Sequence, residues 1–469
     1  MSAIDLEFNE IQGNILGGFN TNVEVLIGLT ADRSRTSDAA RWLVDLAPDV
    51  TSVADVQEQR NAIKPLARGG RQLPITWLCV SVGSEYLGIL REDIFVRDEA
   101  FMGGFRKRAP TALGDRTDPN SWVVGSTGAP LDVFLIVASN DEPAAQQWAD
   151  QLIASAAAKG LRPTYRETAR RIDDLEHFGF RDGISQPAVR GFDAKGDVGP
   201  GYFVFGYERD PGDGGYTPSG DPSNFLRNGS FLVFRRLSQD VRAFRDFCAS
   251  KAASLVGDWP GLTGQHLEAL LVGRWPSGAL ASSSIFSDPG RQPNENAFNF
   301  LDDMAGRNCP LGAHIRKVNP RDGPRDEVNV PRLLRRGIPF GPVVEEKPGA
   351  DRGLAFISFQ TSIKDQLEFL TGKWMNSRLR PGPDAGHDLL VGRSTTTRSL
   401  RISGPQGPVQ VSDDGLQWIV PTGGGYLFAP GRSALRRMLD PLPAGVSWRL
   451  QKAVSLAVNG LFEMLAIER

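Results

Sequence analysis

The stretch YERDPGDGGYTPSGDPSNFLRNGSFLVFRRL, residues 207–237, decides how the chain divides. Its first part, 207–230, is dense in Gly, Pro, Asp and Ser, residues that turn a chain rather than extend it. SFLVFRRL (230–237) then reads as a strand. Beyond it the pattern resumes as though begun again, so 207–230 reads as a linker between two halves, 1–225 and 226–469. A chain of 469 residues also exceeds the size at which a single core keeps growing, which favours two domains.

Working outward, the first half offers a strand at NVEVLIGLT (22–30) and a helix from SDAARWLVDLAP, with Ser37 or Asp38 available as its N-cap. TWLCVSVG (76–83) alternates as a strand and runs into a helix at SEYLGILR. LDVFLIVAS (131–139) is almost continuously apolar, the mark of a strand buried on both faces. EPAAQQWADQLIASAAAKG (142–160) opens on Glu-Pro and ends on Gly, as a helix does. The second half gives an amphipathic helix over 237–255, with Val241, Phe244, Phe247 and Cys248 on one side. GLAFISFQTS (353–362) reads as a strand before the helical IKDQLEFLTGKWMN, and GGGYLFAPG (423–431) as a strand before SALRRML. Strands interleaved with helices, twice over, predict an α+β protein of two ferredoxin-like domains whose sheets pack against helices.

The composition excludes several function classes. Lys and Arg total 53 against 55 Asp and Glu, a formal charge of −2, so no electrostatic footprint for nucleic acid or an anionic membrane exists. Three scattered cysteines with no CxxC make neither a disulfide framework nor a zinc site, and they suit a reducing compartment. The N-terminal MSAIDLEFNEIQGNIL carries acids where a signal peptide has a positive region, and no apolar run reaches membrane-spanning length. The expected location is cytoplasmic, although a mature form whose leader had been removed would read the same. TGK at 371–373 lacks the upstream glycine of a phosphate loop, and neither GxSxG nor HExxH occurs. The basic run PRLLRR (331–336) reads as a solvated face.

Two stretches could carry chemistry. CPLGAHIRKVNPR (309–321) holds one of only four histidines. A lone histidine is most often a hydrogen-bonded core residue. Here Gly312 and Ala313 leave room for a bulky planar group, and Arg316 and Arg321 bracket His314 with charge suited to acidic groups on the same ligand. A haem has both features. In EHFGFRDGISQP (176–187), Asp182 lies between two glycines with Phe178 and Phe180 nearby. It reads either as a turn residue or as a carboxylate held among aromatics for acid–base work.

GFRDG and CPLGAHIRKVNPR, with RRGIPFG (335–341), GLAFISFQ (353–360), IQGNIL (11–16) and GSFLVFRRL (229–237), together resemble the dye-decolorizing peroxidases, in order from residue 11 to about 430. The resemblance implies two ferredoxin-like domains and one haem b per chain, bound mainly by the C-terminal domain. His314 matches the iron ligand and Asp182 the distal acid–base residue. Arg335 matches the distal arginine, with Arg336 adjacent. Leu354 and Phe356 match positions lining the distal pocket. Asp388 resembles the carboxylate that holds the iron-ligating histidine, with Asp384 nearby. Trp374 resembles a surface tryptophan that relays radicals to large donors, and reads equally as a helix anchor. Lys317 stands where the family often has Arg. The implied activity is oxidation of dyes, phenolic and other organic donors by hydrogen peroxide through high-valent iron. The rival is a haem carrier or a protein that releases haem iron without turnover, and a third reading is a structural protein with no cofactor. No nucleic-acid or membrane partner is expected, and oligomeric state is not legible.

Overall fold

The computed structural model describes residues 5–440 apart from 68–73, 93, 95, 97, 214, 216–220, 222–223, 285–286, 294 and 322–330. The first half supplies β1 (Val23–Ala31), β2 (Thr76–Gly83), β3 (Val133–Ser139) and β4 (Leu161–Arg170). The second supplies β5 (Ser230–Gln239), β6 (Leu334–Arg335), β7 (Ile338–Phe340), β8 (Gly353–Gln360), the hairpin β9 (Ser399–Gly404) and β10 (Gly407–Ser412), and β11 (Ile419–Ala429).

Within each half the strand order is ferredoxin-like. The first runs β2-β3-β1-β4, with helices Thr36–Leu46 and Glu142–Ala158 in its two crossovers. The second runs β7-β8-β5-β11, with helix Val241–Ser254 after β5 and π-helical turns over Ile363–Glu368 and Leu370–Met375 after β8. The halves do not stand apart. β4 pairs with β7 at Ala169 and Phe340, and β2 pairs with β11 at Val82 and Phe428, so the sheets close edge to edge into one antiparallel barrel. Closure removes the exposed edges that two separate sheets would present.

The barrel explains the sequence pattern. On β3, Phe134, Ile136 and Ala138 fill the interior while Val133, Leu135 and Val137 meet the helices outside. Both faces are dry, so no polar alternation survives. Asp141 caps the helix Glu142–Ala158 by accepting from the Ala144 N–H at 2.8 Å. The expected cap of the earlier helix is corrected. Asp32 accepts from Ser34 N–H and starts a short 3-10 turn, which feeds directly into Thr36–Leu46, so Ser37 and Asp38 fall inside the first turn. The stretch 207–230, in its described part, is no open spacer. Asp221 accepts from the N–H groups of Phe225 and Leu226, both side chains are fully buried, and Arg227 and Asn228 bond to Glu7. No helix among the described residues is long and apolar enough to cross a membrane.

Close strand packing leaves no slack at β8. A Cβ at Gly353 would lie 1.9 Å from the Leu237 carbonyl oxygen of β5. Gly353→Ala is expected to cost about 3 kcal/mol or prevent folding, read as a lowered denaturant midpoint. The barrel interior also holds the carboxyl of Glu24, opposite Ala138 and Ala169, with no bonded partner for its Oε2 among the described residues. Burial, only partly opposed by Arg336, pushes its pKa up to about 8 from an ordinary 4.5. The unfolded chain therefore gives up this proton at lower pH than the folded one. Stability is fullest below about pH 4.5 and falls as pH rises through the window to about 8. Glu24→Gln should remove that slope, worth on the order of a few kcal/mol, when unfolding at pH 5 and pH 8 is compared.

Candidate functional site

The site begins with the pleat of β8. Ala355, Ile357 and Phe359 point into the barrel, so Leu354, Phe356 and Ser358 point outward toward the helices. Leu354 and Phe356 are half-buried on a strand whose other residues are all buried. Register adds the next group: β6 sets Arg335 opposite Ser358, on that same outward face. Its neighbour goes elsewhere. Arg336 turns to the last carbonyls of the short helix Gly13–Leu16, donating to Asn14 (2.9 Å), Ile15 (2.9 Å) and Leu16 (2.6 Å). The Arg-Arg step thus splits between a structural clasp and a group on the site face. The run PRLLRR is correspondingly no solvated face, since burial lowers the pKa of Arg332, Arg335 and Arg336 alike.

GFRDG forms a tight turn with positive φ at Gly179 (96°) and Gly183 (76°), conformations that suit glycine. Glu176 ties the turn by accepting from the N–H groups of Phe178 and Phe180, each at 3.0 Å. Both rings are buried in the second half's core, where Phe178 packs on Phe244. They anchor the turn rather than surround Asp182, which is exposed; the expected aromatic desolvation of that carboxylate is corrected. Arg181 points away into ion pairs with Asp174 and Glu295. Gln186 then pins the segment to β6, donating to the Arg335 carbonyl at 2.9 Å and accepting its N–H at 3.2 Å. The Arg335 guanidinium donates to the Ser185 carbonyl. Asp182 and Arg335 line one cavity of about 340 Å³, with Gln186, Gly337 and Glu24. Burial lowers the pKa of Arg335, and the Asp182 charge works against that fall.

His314 opens the short helix His314–Val318. Its Nδ1 lies 2.8 Å from Oδ2 of Asp388, which is fully buried. The other carboxylate oxygen accepts from the N–H groups of Leu390 (2.9 Å) and Val391 (3.1 Å). A carboxylate so held assigns the proton to Nδ1 and leaves Nε2 with its lone pair. Asp384, in contrast, is exposed at a positive φ of 58°. Gly312 serves this pairing: a Cβ there would lie 2.8 Å from the His387 carbonyl and 2.9 Å from that of Ala385. The small residue admits the backbone carrying Asp388, a correction to the expectation that it admits a planar ligand. Lys317 bonds to the carbonyls of Ser377 and Arg380, and burial lowers its pKa to about 8.

The two bracketing arginines part company. Arg316 is fully buried and turned into its own loop, bonded to Asp303 and the Cys309 carbonyl with its guanidinium 4.3 Å above Phe300. Arg321 bonds to Asn296 and the Phe298 carbonyl and approaches the Ser185 hydroxyl at 3.3 Å, beside Asp182's turn. Burial and the nearby charges of Arg274 and Arg332 lower its pKa to about 10. Neither Arg321 nor Arg332 forms an ion pair among the described residues. Trp374 is 7% exposed, packed with Phe369 and unbonded at Nε1, so it is not a surface residue. Gln186 and Arg332 escaped the sequence reading. Their signals were a polar residue directly after the turn and an arginine interleaved with leucines.

These features fit a haem. Half-buried apolar side chains on one strand face suit a flat hydrophobic group, Nε2 of His314 suits iron, and clustered arginines suit its carboxylates. A family model described as the DyP dimeric alpha+beta barrel domain matches residues 10–170. The dye-decolorizing peroxidase msp1 of Mycetinis scorodonius is 30% identical, over 94% of this chain and 89% of its own. Among solved structures, a point mutant of the dye-decolorizing peroxidase from Pleurotus ostreatus superposes with a TM-score of 0.80 at 27% identity, covering 93% of this chain and 99% of that one. The DyP-type peroxidase of Anabaena sp. gives 0.78 at 25% identity, over 92% and 94%. Sequence likeness along nearly its whole length, the closed barrel and the histidine–aspartate pair converge: the chain belongs to the dye-decolorizing peroxidase family, and is a haem peroxidase.

Proposed function

We propose that the chain binds one haem b through His314 and reduces hydrogen peroxide at the face bounded by Asp182, Arg335, Leu354 and Phe356, oxidising phenolic donors and dyes. The observation that carries the assignment is the 2.8 Å pair between His314 and the fully buried Asp388, which leaves Nε2 as a lone-pair donor. Bound there, haem supplies an iron centre that accepts two oxidising equivalents from peroxide and passes them to donors.

The protein's own groups handle protons and charge. Asp182 takes the proton from one peroxide oxygen and delivers it to the other, so that water departs. Arg335 donates hydrogen bonds to the negative charge that develops as the O–O bond breaks. Its strand position, its bond to the Ser185 carbonyl and its bracketing by Gln186 hold the guanidinium ready, so little reorganisation is needed. Asp388 keeps the His314 ring oriented and makes it the stronger electron donor. Arg321 and Arg332 serve the haem carboxylates, while Arg316 shapes the loop beneath. Asp182 and Arg335 in one cavity also separate this reading from that of a haem carrier, which has no use for an acid–base pair. The three cysteines are all buried and unpaired, in keeping with a cytoplasmic protein. Trp374, packed in the same core cluster that Phe356 abuts, acts as an internal relay rather than a surface contact.

Visible absorption of purified protein checks the assignments. Wild type should show a strong Soret band that one equivalent of peroxide changes, and His314→Ala should lose or shift that band. Asp182→Asn should keep the band and react with peroxide about 10²- to 10⁴-fold more slowly. An unslowed reaction would remove Asp182 from the mechanism. Trp374→Phe should slow bulky dyes more than small phenols; equal slowing of both would leave Trp374 as a core residue.

A further inference from the structure

The half-buried Arg321 is bonded, among the described residues, to neutral groups alone. Its Nη1 donates to the Asn296 backbone carbonyl at 2.7 Å and to the Phe298 carbonyl at 3.1 Å. Its Nη2 donates to the Asn296 side-chain carbonyl at 2.6 Å and approaches the Ser185 hydroxyl at 3.3 Å. The Phe298 ring lies 4.1 Å from the same guanidinium and 5.3 Å from that of Arg274. An aromatic face attracts both cations without cancelling either. Next in the chain, the N–H of buried Phe300 donates to the Arg321 carbonyl at 3.1 Å. The loop therefore grips both the backbone and the side chain of a residue held at a φ of 51°, where an arginine is strained.

The acid beside Asn296 is turned elsewhere. Glu295 pairs with Arg181 at 2.5 Å and accepts the Gln292 N–H at 3.0 Å. One short segment thus sends its carboxylate to the GFRDG turn and offers Arg321 only carbonyls, an amide and a ring. An aspartate at 296 would be the ordinary partner for a half-buried arginine, because charge-assisted bonds are the stronger ones. The amide that stands there can orient the guanidinium but cannot neutralise it. Ser185, toward which the guanidinium is aimed, also bonds Arg335 through its carbonyl.

We propose that Asn296 is a positioning residue, which fixes the Arg321 guanidinium beside Ser185 through neutral bonds and so keeps its charge available to the acidic groups of the bound cofactor. The proposal rests on the reading above that Arg321 serves the haem carboxylates. It assigns the loop a role in retaining the cofactor, separate from the proton work of Asp182.

The rate of haem loss from holoenzyme to excess apomyoglobin tests this without turnover. Asn296→Asp, which alters size and shape little, should speed haem loss about tenfold, because the new carboxylate pairs with Arg321. The carboxylate bending bands of the haem in its resonance Raman spectrum should shift in the same variant. Unchanged or slower loss would overturn the proposal, and so would faster loss with unshifted bands, which would mean a general loosening of the pocket. Asn296→Ala should speed loss about threefold in the wild-type background and not at all in an Arg321→Gln background. Equal acceleration in both would make Asn296 a merely structural loop residue and overturn its action through Arg321. Arg321→Gln alone should speed loss about tenfold. An unchanged rate in that variant would instead overturn the reading that Arg321 serves the haem carboxylates, and the proposal with it.

Discussion

The site depends on the position of β8. One edge of this strand pairs with β5, the other with β6 and β7, and one of its faces is committed to the barrel interior. Only the remaining face can meet a ligand, and the pleat decides which residues stand on it. Because the period is two, a slip of one residue would send Leu354 and Phe356 into the barrel and bring Ala355 and Ile357 out. Pairing on both edges prevents that slip. The same register delivers Arg335 to the site face without any further device.

The short motifs of the chain turn out to be clasps between distant parts of the barrel. In IQGNIL, the Gln12 side chain donates to the carbonyls of Val80 and Pro430 and accepts the Val80 N–H, which ties together β2 and the end of β11. Gly13 packs where a Cβ would lie 2.8 Å from the Ser52 carbonyl. The carbonyls that follow receive Arg336 from the other half. A residue that clasps the N-terminal segment is thereby adjacent to one that faces the site. Strain or slippage in the clasp would move Arg335 directly, so the barrel seam and the site share one mechanical part.

Much of this was legible in the sequence, for identifiable reasons. Double burial made β3 readable from VFLIVAS alone, and the caps made Glu142–Ala158 readable at both ends. The repeated order of strands and helices carried the two ferredoxin-like halves. Their fusion was not legible, because the seams rest on a few pairs, Ala169 with Phe340 and Val82 with Phe428 among them, that leave no local pattern. At the site, motif resemblance singled out His314, Asp182 and Arg335, but not what each neighbour does. Gly312 reads the same whether it admits a ligand or a crossing backbone. Arg316 and Arg321 read alike as cations, yet the helix opened by His314 turns one inward while the positive φ of 51° at Arg321 turns the chain toward Ser185. Such distinctions live in direction, which spacing does not record.

Direction also resolves the charge of the molecule. A formal charge of −2 over 469 residues suggests a featureless electrostatic surface. Inside, the balance is different. Arg274, Arg321, Arg332, Arg335 and Arg336 all have pKa values lowered by burial, and Arg274 and Arg332 each depress Arg321 further by repulsion. Like charges gathered out of water are unfavourable unless something opposes them. Asp182 opposes only Arg335, and Arg336 is satisfied by carbonyls. Asp197 only partly opposes the burial of Arg332, and Arg321 is bonded to neutral groups alone, with no ion pair among the described residues. A protein with a purely structural role gains nothing from such a cluster, whereas a cofactor with two ionised carboxylates would offset it. The buried arginines are thus a second line of argument for haem, independent of the histidine, and Arg321 would be among the residues that hold its carboxylates.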